Sequence, residues 1–257
     1  MLNRILAIAI VAGALAGGVV TGVHLLWTTP LIIAAEAYET GANAAPGPAR
    51  AHDHGAAADS LARSQDRAVE GVGHSRPTAA ESWGPADGIE RTFWTLVVNV
   101  VTGVGGGLVL AAMFSLRRRI DLTIGLAFGA AAFAAFGLAP ALGLPPELPG
   151  TAAAALGARQ AWWAATAAAT LAGLGTIFGC RQPWLKVGGL MLLALPHLFG
   201  APHPAVASAL APESLRNEFV AASLATSAVF WIVLGGMTGF LARRLTPINP
   251  DGDDEVA

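Results

Sequence analysis

Six stretches of this chain run for fifteen residues or more with almost no charged side chain. They cover residues 5–26, 93–114, 120–142, 161–179, 185–199 and 219–241, and among them hold only Asp121 and Lys186 as charges. At 1.5 Å per residue, a helix over 5–26 reaches about 33 Å, enough to cross a hydrocarbon core of about 30 Å. Such runs leave few options in water, because nothing in them can form a wetted surface. Composition points the same way: charged residues make up 12% of the chain, against about 25% in an ordinary soluble domain. The expected fold is therefore all-α, a polytopic transmembrane helix bundle with a membrane domain over 1–245. Six spans are expected, or five if 185–199, which is short and carries Pro196, does not cross.

The first run also fits part of a signal peptide, since Arg4 precedes it and small residues occur within it. A signal peptide has an apolar region of only about 7–15 residues, so the longer run ending in His24, Leu25, Leu26 and Trp27 reads as an uncleaved anchor. Between 40 and 90 the chain turns to Ala, Gly, Pro, Asp, Ser and Arg with few large apolar residues. That composition buries too little surface to offset chain entropy, which predicts a mobile extracytoplasmic linker. Residues 246–257 form a short acidic tail.

The basic residues orient the bundle. With six spans and the N-terminus inside, Arg4, Arg117, Arg118, Arg119, Arg181, Lys186, Arg243 and Arg244 all fall on the cytoplasmic side. The two short outer loops then hold one basic residue each, Arg159 and Arg216, and both termini are cytoplasmic. Glycines recur four apart at 13/17, 18/22, 103/107, 125/129, 175/179 and 235/239. This spacing lets helix backbones approach closely, as helices in lipid do.

Net charge of −2 without a basic patch excludes a nucleic-acid partner. The single cysteine, Cys180, excludes an intrachain disulfide and a thiolate cluster. A phosphate-binding Gly-x-x-x-x-Gly-Lys loop, a His-Glu-x-x-His pair and a Gly-x-Ser-x-Gly elbow are all missing from the sequence, so neither ATP hydrolysis by that route nor hydrolase chemistry is expected.

The six histidines are the most informative polar residues. On this topology His24, His52, His54, His74, His197 and His203 all lie toward the non-cytoplasmic side. Neutral imidazole ligates divalent transition metals, so these side chains form candidate capture ligands. The linker residues His52, His54 and His74 lack a fixed backbone, which makes a solvated polar stretch the competing reading. His24 and His197 lie within apolar runs, where a ring needs either a helix partner or a water-filled cavity. Glu36 and Glu39 are three apart and share a face if their segment is helical, so they join the candidate set. Asp121 reads as a charge-paired interfacial residue.

Several segments together resemble the cobalt transporter subunit family CbtA. They are His24 with Trp27, Pro30, Leu31, Glu36, Tyr38 and Glu39; Pro146-Glu147-Leu148-Pro149-Gly150; Arg159-Gln160-Ala161-Trp162-Trp163; and Pro196-His197 followed by Gly200-Ala201-Pro202. The ordered series extends over about 5–245, with the linker divergent. The resemblance implies a bacterial inner-membrane protein that carries Co²⁺, with Ni²⁺ as a further cargo, for cobalamin synthesis. It also implies a small single-span His-rich companion subunit and no tightly bound cofactor. By motif match it extends to His24, Glu36, Glu39, Glu147, Arg159 and His197. The competing expectation is a non-transporting membrane scaffold or regulatory subunit of a partner permease.

Overall fold

The computed structural model describes residues 2–44, 85–86, 88–115 and 121–245. The expected linker at 40–90 lies almost entirely outside them. So do His52, His54, His74, the basic triplet at 117–119 and the tail at 246–257. Regular structure among the described residues is helical, with one isolated bridge between Thr151 and Ala209. Helix α1 (Leu2–Val23) continues through a π turn at His24–Thr28 into α2 (Thr29–Ala44). Next comes α3 (Ile89–Ser115), then α4 (Leu122–Phe133), which passes through a second π turn at Ala134–Leu138 into the short α5 (Ala139–Ala141). The chain ends with α6 (Leu156–Gly179), α7 (Pro183–Phe199) and α8 (Glu213–Leu245).

Among the described residues, five stretches are long and apolar enough to cross a membrane: Leu2–Gly41, Ile89–Phe114, Leu122–Ala141, Leu156–Gly179 and Glu213–Leu245. Helix α7 has 17 residues and reaches only about 26 Å. It nonetheless carries the chain back along α6, since His197 near its end packs edge-on against Trp162 near the start of α6, ring centroids 5.9 Å apart. As a result α1 and α8 meet at one end of the bundle, where Ile5 and Ile8 cluster with Phe114, Leu241 and Ala242. That is the lower end. At the upper end Leu31 and Ala35 cluster with Leu148, Ala211 and Phe219.

The side-chain distribution is the reverse of a soluble protein's. Small residues line the interior, with Ala9, Ala12, Ala16, Ala35 and Ala222 buried, while Leu26, Phe178, Trp184 and Phe199 face outward. In lipid a large apolar side chain gains nothing by moving inside, whereas small residues let backbones approach and gain dispersion contacts. The buried hydroxyls are satisfied within their own helices: Thr170, Thr226 and Thr238 donate to carbonyls four residues earlier at 2.7–2.8 Å.

Four of the six glycine pairs sit at backbone crossings. Gly13 and Gly17 on α1 meet Gly103, Val104 and Val100 on α3, and Gly107 on α3 meets Ala9 on α1; a Cβ on Gly17 would lie 2.7 Å from the Val100 Cα. Gly125 and Gly129 on α4 meet Gly235 and Gly239 on α8, where a Cβ on Gly239 would lie 2.8 Å from the Gly125 Cα. Gly18, Gly22, Gly175 and Gly179 instead face open space.

Each π turn ends two residues before a proline. Pro30 offers no N–H to the Leu26 carbonyl and its ring crowds that oxygen; Pro140 stands in the same relation to Phe136. The widened turn accommodates both problems: Thr29 N–H bonds back to the His24 carbonyl and Ala139 N–H to the Ala134 carbonyl. Pro196 lies within the last turn of α7, and the helix stops at Gly200, whose φ of +80° suits glycine. Asp121 is the N-cap of α4, its Oδ1 accepting from the Ile124 N–H at 2.8 Å.

Candidate functional site

His24 occupies the π turn between α1 and α2. Because the helix runs unbroken to Gly41, the ring lies well inside the bundle, level with Thr226 of α8, and not at the end of a helix. Its Nδ1 is 2.5 Å from Thr28 Oγ1, and Thr28 Oγ1 lies 3.3 Å from the His24 carbonyl. Thr28 has one proton to give. Donated to the carbonyl, it leaves Nδ1 to donate to the hydroxyl and puts the ring's lone pair on Nε2.

His24 borders a cavity of about 210 Å³ lined by Val20, Asn99, Thr102, Ser223, Thr226, Ser227 and Phe230. Three helices contribute: α1 at its π turn, α3 and α8. Asn99 Nδ2 donates to Thr21 Oγ1 at 3.0 Å, and Thr21 Oγ1 donates to the Gly17 carbonyl at 2.7 Å. Thr226 spends its proton on the Ala222 carbonyl at 2.7 Å. Thr102 sits at the exposed rim.

The second group of polar residues gathers at the upper end. Glu36, half-buried on α2, accepts from Arg91 Nη2 of α3 at 2.6 Å. Glu39 lies one turn on, on the same helix. Glu147 and Arg159 pair at 2.9 Å beside a cavity of about 500 Å³, whose wall includes Ile32, Leu148, Gly150, Thr151 and Phe219. The loops there are pinned together: Ala152 N–H donates to the Ser208 carbonyl at 2.8 Å, and Leu210 N–H to the Gly150 carbonyl at 3.3 Å. His203 is exposed on the segment between α7 and α8, and His197 is half-buried against Trp162.

The structure thus places His24 in one region and Glu36, Glu39, His197 and His203 around another. Among the described residues, no three His, Cys, Asp or Glu side chains come together in a group able to hold a metal ion. What it does assemble, the interior polar wall, draws on residues not singled out from the sequence. Two signals were present. Asn99 is the only amide in the run at 93–114, and Ser223, Thr226 and Ser227 recur at the spacing of one helix face.

Comparison with known proteins adds a family. A match to the family described as probable cobalt transporter subunit (CbtA) extends over residues 2–243. No curated protein and no solved structure matches the chain. The glycine crossings, the π turn bearing His24 and the paired upper loops all fall inside the matched region, and the chain belongs to the CbtA family of probable cobalt transporter subunits.

Proposed function

We propose that this chain is the membrane-embedded subunit of a permease that takes up a divalent transition metal, cobalt first and nickel second, for cobalamin synthesis. The observation that carries the reading is the cavity bordered by His24, with Asn99, Ser223, Thr226 and Ser227 in its wall, set among helices whose outer faces are apolar. Polar groups at that depth are costly and mark pathways more often than packing. Family membership supports cobalt as cargo, and the word subunit supports partner components. A small single-span His-rich companion is the partner proposed. The setting is the bacterial inner membrane, both termini cytoplasmic, with the upper end facing outward.

On this reading the outer residues work in sequence. Glu36, Glu39, His197 and His203 collect the hydrated cation at the upper end, helped by His52, His54 and His74 of the connecting stretch. Arg91 already holds Glu36, so a cation there competes with a guanidinium and is held loosely. Loose capture suits transport, since an ion bound too tightly does not leave. His24 receives the ion further in. The test is cobalt accumulation in cells that carry the chain: His24→Ala combined with His197→Ala lowers it toward the level of a deletion strain. Unchanged accumulation overturns the reading. Cobalt flux in proteoliposomes holding this chain alone separates a permease from a scaffold, because a scaffold by itself gives none.

A further inference from the structure

The upper cavity, of about 500 Å³, has the size of a small-molecule pocket, and four parts of the chain build it. Ile32 comes from α2, Arg159 from α6 and Phe219 from α8, while the loop after α5 supplies Glu147, Leu148 and Thr151. That loop is held in place by the Thr151–Ala209 bridge and by the Leu210 N–H, which donates to the Gly150 carbonyl. Trp162 and Trp163 follow Arg159 within about one turn of α6. Such rings favour the membrane–water boundary, which puts the cavity at the depth of lipid headgroups.

The charges in its wall limit what it can hold. Arg159 Nη2 lies 2.9 Å from Glu147 Oε2, with the two side chains 31% and 27% exposed, so both remain within reach of a guest. Among the described residues neither side chain has a second charged partner. The contact engages one end of each group and leaves Glu147 Oε1 and most of the guanidinium fork free. An anion drawn to Arg159 also meets the Glu147 carboxylate, and a cation drawn to Glu147 also meets the guanidinium. Each singly charged guest therefore gains little. A guest with both signs extends the pair into a ring of alternating charges, its ammonium on Glu147 and its anionic oxygens on Arg159. Much of the remaining wall, including Ile32, Leu148 and Phe219, is apolar and suits a carbon framework.

We infer that this cavity binds a small zwitterion, a primary ammonium and an anionic oxygen group a few bonds apart. Two sources carry that chemistry: the phosphoethanolamine headgroup of a membrane lipid, and a free solute of the same kind. The site stands whether or not the bundle moves metal.

The test presents the full-length detergent-solubilised chain with three headgroups in two forms. As lipids they are phosphatidylethanolamine, phosphatidylcholine and phosphatidylglycerol, supplied at equal concentration and counted on the protein by native mass spectrometry. As solutes they are the matching glycerophosphodiesters, titrated calorimetrically. The ethanolamine form should bind at least about tenfold more tightly than the other two, the worth of one charge-assisted hydrogen bond. The choline form lacks the N–H that Glu147 would accept, and the glycerol form lacks the positive charge. Preference in both panels assigns a free solute; preference confined to the lipids assigns a membrane headgroup. Arg159→Gln should abolish the preference. Glu147→Gln should reverse it, because Arg159 is then unopposed: the anionic glycerol form binds more tightly than it does to the wild type, a gain that misfolding cannot imitate. Equal binding of the three headgroups to the wild type in both panels overturns the inference, and so does an unchanged ranking in Glu147→Gln.

Discussion

At the scale of single residues, neighbouring glycines on α1 differ sharply in what they do. A Cβ on Gly17 would strike the backbone of Asn99 and Val100, whereas one on Gly18 meets nothing within 4 Å. Overpacking a well-fitted contact costs about 1–3 kcal/mol, and here the obstacle is backbone that cannot swing aside. Gly17→Leu is therefore expected to lower the thermal unfolding midpoint of the detergent-solubilised protein by several degrees, and Gly18→Leu to leave it within error. Equal shifts would mean that α1 and α3 do not cross here. The Asn99–Thr21 hydrogen bond ties the same two helices but contributes less. Interhelical bonds of this kind average about 0.6 kcal/mol, so a double-mutant cycle on Asn99→Leu and Thr21→Val should return a coupling near that figure. A coupling of zero would mean that the two side chains do not meet.

At the scale of elements, hydropathy located the helices but misplaced their ends. The first apolar run stops at Leu26 because Trp27, Thr28, Thr29 and Pro30 follow it, yet the helix continues to Ala44. A proline stops a helix only if the preceding turn cannot widen, and here it does. Periodicity cannot register a π turn, which is why His24 reads as a residue near a helix end. The glycine spacing was legible as tight packing, but which pairs meet depends on helix rotation that spacing alone leaves open. Pro30→Ala tests the π turn directly. Restoring the N–H lets the turn tighten to α geometry and moves His24 relative to Asn99. Amide exchange across 26–31 should slow, and cobalt uptake should fall although the helix is better bonded. Faster or unchanged exchange would show that Pro30 is not what holds the turn open.

At the scale of the whole molecule, α6 and α7 form a hairpin that leans on the other helices through its upper half. Phe136, in the second π turn, stacks between Trp163 of α6 and Trp231 of α8, with centroids 6.0 and 5.4 Å away. The lower half ends at exposed Phe178 and Trp184. Cys180 caps α6 at that lower end, a full helix length from the Glu147–Arg159 pair at the top. Since α7 brings the chain back to the upper end, Cys180 lies on the same side as the start of α1 and the end of α8. The one cysteine of the protein is thus a native reporter of sidedness, needing no substitution. In intact cells whose outer membrane has been opened, a membrane-impermeant maleimide should leave Cys180 unmodified, while a permeant one modifies it. Ready labelling from outside would invert the bundle, placing His197 and His203 on the cytosolic face, where a residue set meant for capture meets the ion only after it has crossed.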